Sequence, residues 1–383
     1  MHLGGLDMTL TKYKLGDLIE QSDNKNHNEL LTKNDVRGIS TGKIFIDTKA
    51  NLNGVSLKSY KIVNENEFAY VADTSRRGEK IAIAYNTNEG KIIISSIYTS
   101  FFVKRKDLLL SDYLFMYFNR SEFDRFSRFN SWGSARETFD WNEFCNIEIE
   151  LPPISIQKKY VDIYKAMLEN QECYERGLED LKLVCDAYIE KLKKLKEKIS
   201  IGKFIVQTDN KNKLNMKYKF KGLSMDNYFI DSIASSTGLD FSKYKIVEPD
   251  EYGAVLMKVG RDGRLTIARN DSKENYLISP AYYTFKIKDI DANYFMANVN
   301  RSEFERRGWF SCDTSARGSL SWEEFLNLTI PNANKREQEI VSELHRVLIS
   351  RTEINEKLKA QIKDICPILI KGSIEEARRL KED

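Results

Sequence analysis

Histidine is nearly absent from this chain: His2, His27 and His345 are the only three in 383 residues. They lie far apart in sequence, which argues against Ser-His-Asp or Cys-His catalysis. The five cysteines, Cys145, Cys173, Cys185, Cys312 and Cys366, are scattered and form no CxxC pair. They read as ordinary thiols of a reducing compartment, not as a disulfide framework or a metal site. Neither a GxxxxGK[ST] phosphate loop nor a GxGxxG fingerprint occurs. No apolar run approaches the ~20 residues needed to span a bilayer, and the N-terminus lacks a basic segment followed by an apolar core. A cytoplasmic location with no membrane partner is therefore expected. Excess charge of one sign is also missing, with 60 Lys+Arg against 57 Asp+Glu and a net +3. A nucleic-acid surface would have to be local. Asp47 with its counterpart Asp231, and Asp73 with Glu79, read as loop-capping carboxylates. What remains is a recognition scaffold with no chemistry, metal or cofactor of its own.

What is present starts with a long stripe. From Ile154 to about Ser200, steps of four and three pass through Tyr160, Tyr164, Leu178, Leu181, Cys185, Leu192 and Ile199. No proline follows Pro153 in that run. A 3.5-residue period held so long predicts one helix with a coiled-coil seam. Roughly 46 residues would make a rod of about 70 Å, and such a rod needs a partner of similar length. From Ile340 the same walk gives Leu344, Val347, Ile354, Leu358 and Ile365. Pro367 is expected to end or kink this second helix, leaving it shorter than the first. The charged tail from Gly372 to Asp383 is expected to fray.

The rest of the chain is also repeated. Leu15-Gly16-Asp17 and the Gln21 to Asn26 stretch return as Ile201-Gly202-Lys203 and Gln207 to Asn212. Gly38, Phe45, Ile46, Asp47, Tyr60 and Val63 recur as Gly222, Phe229, Ile230, Asp231, Tyr244 and Val247. Asn119-Arg120-Ser121-Glu122-Phe123 returns as Asn300-Arg301-Ser302-Glu303-Phe304, and Ser134-Ala135-Arg136 as Ser315-Ala316-Arg317. The chain is a tandem duplication of roughly 185 residues. Each copy is a mixed α/β (α+β) domain followed by a long helix: residues 1–152, helix 153–200, residues 201–331, then helix and tail 332–383. Lys80–Tyr85, Lys91–Ile97 and Thr99–Val103 read as strands. Leu109–Arg120 reads as a short helix with Ser111 or Asp112 as cap.

Two kinds of segment combine positive charge with turn residues. One is Asp73 to Lys80, carrying Arg76, Arg77 and Lys80, answered by Gly260 to Arg264 with Arg261 and Arg264. The other holds Ser134 and Arg136, answered by Ser315 and Arg317. Guanidinium groups on such loops suit phosphates or the O6/N7 edge of guanine. Framework repeated with different tips suits two domains reading two different things.

The order of domain, Leu151-Pro152-Pro153-x-x-x-Gln157 start, long helix, and the same again resembles the specificity subunit of type I restriction–modification systems. Tyr13-Lys14-Leu15-Gly16-Asp17-Leu18-Ile19 and Ser321-Trp322-Glu323-Glu324-Phe325 fit its target recognition domains. The second copy departs in having one proline, Pro331. The resemblance implies a non-enzymatic reader of double-stranded DNA in a bacterium or archaeon, each domain binding half of a split target. It implies that the helices pack as an antiparallel coiled coil, with Tyr160, Tyr164, Leu178 and Leu181 facing Leu344, Val347, Ile354 and Leu358. It also implies two bound methyltransferase subunits carrying S-adenosylmethionine, and a restriction subunit (an ATP-dependent translocase and nuclease) that can join. The same residues would serve the recognition part of a related type II-like restriction–methylation system. A duplicated coiled-coil adaptor that binds protein is the alternative from another class.

Overall fold

Each half of the chain is closed by one short antiparallel ribbon. Thr11–Lys14 pairs with Glu148–Leu151, and Lys198–Ser200 pairs with Thr329–Pro331. Both ends of a domain thus meet where a long helix begins. The computed structural model describes residues 10–75, 80–87, 90–133, 136–232, 239–257, 259, 263–313 and 318–382.

Between the ribbon strands the two copies repeat one plan. In the first, a four-stranded antiparallel sheet runs in the order Ile19–Ser22, Thr99–Val103, Glu67–Tyr70, Ile83–Tyr85. In the second the order is Ile205–Thr208, Tyr283–Ile287, Tyr252–Val255, Thr266–Arg269. Phe68 lies opposite Phe101 in one sheet, and Tyr252 opposite Phe285 in the other. Aromatic rings stack across these pairs, with centroids 5.0 Å and 5.1 Å apart. Short helices then cover the sheet: Ser111–Phe118, Ser121–Phe129 and Trp141–Cys145, answered by Ala292–Val299, Ser302–Phe310 and Trp322–Asn327. Their buried Tyr113, Phe118, Phe123 and Phe144 complete the first core. Of the predicted strands, Thr99–Val103 has the expected bounds, while Ile83–Tyr85 and Ile92–Ile94 are shorter than their apolar runs.

Neither Ser111 nor Asp112 caps the helix there: the N-cap residue is Leu110, with no side-chain cap. Its orphan N–H goes instead to Oε1 of Gln157, at 3.0 Å. Gln157 is fully buried, and its Nε2 donates to the carbonyls of Leu108 and Pro152 at 2.7 and 2.8 Å. Gln338 repeats the arrangement, accepting from the Asp291 N–H at 3.0 Å and donating to the Ala333 carbonyl at 2.9 Å. One glutamine therefore fastens the start of each long helix to its own domain. Buried amide groups left without such partners would cost about 1–3 kcal/mol each.

The first long helix is Ile154–Leu195. It does not reach Ser200, because Lys198–Ser200 is claimed by the ribbon and Ile199 pairs with Ile330. The second is Lys335–Glu382, longer than the first and with Pro367 inside it. Two expectations fail here: Pro367 does not shorten the helix, and the tail through Glu382 is helical. A proline in a helix interior costs about 3 kcal/mol. Burial after it offsets that cost, since Ile370, Ser373 and Ala377 are all at most 1% exposed.

The chain forms two compact units, residues 1–173 with 356–383, and residues 174–355. In the first unit Tyr160 and Tyr164 pack on the domain core beside Cys366 and Ile370. Lys159 Nζ reaches Glu376 at 2.8 Å and Tyr164 lies beside Cys366, so the helices run antiparallel. Gly372 sits against the Tyr160 ring, where a Cβ would come within 3.1 Å. In the second unit Lys196 pairs with Glu337 at 2.9 Å and Gly177 lies beside Arg351, again antiparallel. Leu178, Leu181, Leu344 and Leu358 are half-buried. Val347 and Ile354 are more exposed, at 36% and 38%, whereas Val341, His345 and Asn355 are buried. The second helix turns a face beside its expected seam toward the second domain. No helix among the described residues is long and apolar enough to cross a membrane.

His345 is 4% exposed, and its Nδ1 has no hydrogen-bond partner. Burial pushes its pKa down to about 4, against a weaker opposing pull from Asp291. A depressed histidine binds its proton in the unfolded chain first. Its contribution is thus fully present above about pH 6.5 and is lost as pH falls toward 4, by up to about 3 kcal/mol. Urea unfolding between pH 4 and 7 should show this slope, and His345→Leu should flatten it.

Candidate nucleic-acid interface

The two loop segments singled out in each copy are distant in sequence, and the fold joins them. After strand Glu67–Tyr70 the chain runs beside Glu137 to Phe139: Phe139 N–H bonds the Ala72 carbonyl and Thr74 N–H the Glu137 carbonyl, both at 2.9 Å. Thr74 Oγ1 donates to the same Glu137 oxygen at 3.1 Å. Trp132 and Thr138 then close a hairpin through reciprocal backbone bonds of 3.1 and 2.9 Å. Inside it Gly133 has φ +142, and a Cβ there would fall 2.1 Å from the Arg136 carbonyl oxygen. Only glycine fits that turn. The second domain repeats the ledge, with Leu320 N–H on the Leu256 carbonyl at 2.9 Å and Asp313 N–H on the Ser319 carbonyl at 3.0 Å.

Of the predicted contact residues, Lys80 and Arg136 are exposed at the ends of these loops. Arg264 is half exposed. Arg76, Arg77, Ser134, Arg261, Ser315 and Arg317 lie outside the described residues. Nearby, Arg125 is largely exposed beside Glu122, and Arg128 pairs with Glu137. Exposed aromatic side chains stand close in sequence to these loops, Phe129 at 76% and Trp132 at 65% in the first domain and Phe310 at 85% in the second, and sequence reasoning overlooked Phe129 and Phe310. Phe129 and Phe310 occupy one repeat position, at the last residue of Ser121–Phe129 and of Ser302–Phe310. The signal was available as an apolar residue kept in both copies off the buried stripe.

It also overlooked two buried acids under the loops. The residue after Phe123 is Asp124, and the residue after Phe304 is Glu305; their side chains are 12% and 7% exposed. Asp124 Oδ1 receives Lys43 Nζ at 2.9 Å and the Ile81 N–H at 3.3 Å, tying the end of the first loop to the helix. Lys43 is itself buried, also bonds the Phe118 carbonyl, and stands 5.5 Å from the Phe123 ring centre. Desolvation lowers its pKa, and Asp124 opposes that shift. Glu305 is met by Arg264 Nη1, 3.2 and 3.4 Å from its two oxygens.

No protein-family model matches the chain, and no curated protein matches it in sequence. Among solved structures, the type I restriction-modification system S subunit from M. genitalium is similar over 97% of this chain and 98% of its own. The TM-score is 0.58 at 13% identity. The HsdS subunit from Thermoanaerobacter tengcongensis covers 98% of this chain and 99% of its own, with a TM-score of 0.40 and 14% identity. A chain from work on complex assembly and conformational transition of the type I R-M system covers 97% and 98%, at 0.45 and 14%. The first likeness carries the fold. The mixed helix-and-sheet architecture expected of a type I S subunit runs through nearly the whole chain.

Removing one partner from a buried ion pair leaves the other uncompensated, at a cost of about 3–5 kcal/mol. Lys43→Met should lower the stability of the first domain by that order in denaturant titration, and Lys43→Met with Asp124→Leu should recover much of it. A single variant as stable as the parent would show that Lys43 does not neutralise Asp124.

Proposed function

We propose that the chain is the non-catalytic specificity subunit of a type I restriction–modification complex, each domain reading one half of a bipartite DNA target. The observation that carries this reading is the doubled ledge, one backbone framework bearing two different sets of loop residues. Thr74 to Lys80 carries Arg76, Arg77 and Lys80 in its sequence, while its counterpart Lys258 to Arg264 carries Arg261 and ends on Arg264. Ser134 with Arg136, and Ser315 with Arg317, complete the two sets. Different donor patterns on equal frames select different bases in the major groove. The fold shared with an S subunit over nearly the full length of both chains supports the same reading.

In this reading two methyltransferase subunits bind the long helices, which set the spacer between half-sites. Exposed apolar residues there, Leu183 at 66%, Val184 at 54% and Ile368 at 65%, support a covered helix surface in the assembled complex. S-adenosylmethionine and the adenine chemistry belong to the methyltransferase. ATP-driven translocation and cleavage belong to a restriction subunit. The chain supplies address, not reaction.

Mapping methylated adenines in DNA from a host carrying the chain and its methyltransferase tests the reading; methylation by the purified chain alone would overturn it. Replacing Arg76 and Arg77 by alanine should cost one half-site about 1–3 kcal/mol per lost bidentate contact. Replacing Arg261 should affect only the other. Equal weakening on all sequences would assign these residues to phosphate.

The spacer offers a separate check. Seven residues inserted beside Leu178 keep the stripe in phase to about 20° and add roughly 10 Å of helix. The spacer should then lengthen by up to about three base pairs, with the half-sites unchanged. Altered half-sites at unchanged spacing would show that the helices are not the ruler.

A further inference from the structure

The two domains keep a buried carboxylate at one repeat position and neutralise it from different places. In the first, the cation is Lys43, in the turn before strand Phe45–Asp47, with φ +63. The second domain has the same turn, with φ +65, but the residue is Asn227. Its Oδ1 accepts the Ile267 N–H at 2.8 Å, so that turn brings no charge to Glu305. The charge comes from Arg264, the counterpart of Lys80, at the end of the recognition loop itself. Val259 and Leu265 on either side are fully buried, and the Gly263 N–H bonds the Val259 carbonyl at 2.9 Å. Were Arg264 to swing out to DNA, a carboxylate 7% exposed would lose the cation that pairs with it among the described residues, which is strongly unfavourable.

We infer that Arg264 is a positioning residue, held by Glu305 to fix the end of the second recognition loop, and does not itself contact bases. In the first domain Lys43 and Asp124 do this work, which leaves Lys80 free of it. The inference rests on the proposed DNA-reading role of the loops and narrows which cations can read.

The test uses the chain assembled with its methyltransferase and a randomised duplex DNA pool, from which the wild-type complex recovers its preferred sequence. Binding is then measured with each half-site scrambled in turn, over a range of salt. Arg264→Gln and Glu305→Gln should each weaken recognition of the second half-site by about tenfold or more, leaving the first intact, and the double variant should be no worse than the worse single. Arg264→Lys keeps the ion pair and should stay within about threefold of wild type. A base-reading arginine would instead lose its bidentate contact on that change. The salt slope should not move in any variant. Arg264→Lys as damaging as Arg264→Gln, a salt slope reduced by about one, or Glu305→Gln binding like wild type would overturn the inference alone. Should Glu305→Gln not fold, the contrast between Arg264→Lys and Arg264→Gln decides it. A wild-type complex that recovers no preferred sequence overturns the DNA-reading role, and this inference with it.

Discussion

A helix of more than forty residues carries an apolar stripe that a small domain cannot cover, and the architecture follows from where that stripe is buried. In each compact unit the cover is shared between an antiparallel helix segment and the domain. The first unit shows this in Tyr160, against Gly372, and Tyr164, beside Cys366, both packed on the aromatic core of the first domain. The second shows it in Ile189 and Leu192, packed with Tyr294 and Val341. Packing of this kind supplies most of the stability of a helix in water. The buried Gln157 and the half-buried Gln338 then fix the entry of each helix by hydrogen bonds to its own domain.

On that scaffold, duplication has allowed local solutions to diverge while geometry stayed fixed. Phe68 and Tyr252 occupy one position in the sheet, and the added hydroxyl of Tyr252 is buried without a partner among the described residues. The Lys43–Asp124 and Arg264–Glu305 pairs answer one electrostatic problem by two routes. A buried acid tolerates exchange of its counter-ion between elements provided that some cation arrives, because the cost lies in being unpaired and not in which residue pairs with it.

The duplication, the element order and the two long helices were legible because they rest on periodicity and on repeated words. What was not legible depends on partners that a sequence does not place beside one another. The pattern around Pro367 predicts a helix end, and propensity alone supports that. The burial of Ile370, Ser373 and Ala377 in the first unit reverses it. The walk through Val347 and Ile354 follows an ideal seam, but the second domain takes Val341 and His345 instead, so the buried face shifts. Ile199 fits the heptad and still leaves the helix, because the ribbon with Ile330 closes the domain. In the loops, charge pointed to Arg264, whereas its pairing with Glu305 needed the helix to be placed beneath it.

The separation of fixed and variable parts bears on which loop residues can be exchanged. The ledge is held by backbone bonds, Phe139 to Ala72 and Leu320 to Leu256, which are indifferent to side-chain identity. Residues beyond it can therefore vary without cost to the fold, within the limits set by Gly133, whose turn admits no Cβ. A cation at the loop's end is less free where it neutralises a buried acid, as Arg264 does, than where another element has taken that task, as Lys43 has. The first domain is accordingly the one whose loop charge can be exchanged at least cost to stability, and the second can gain the same freedom only by supplying Glu305 with another cation.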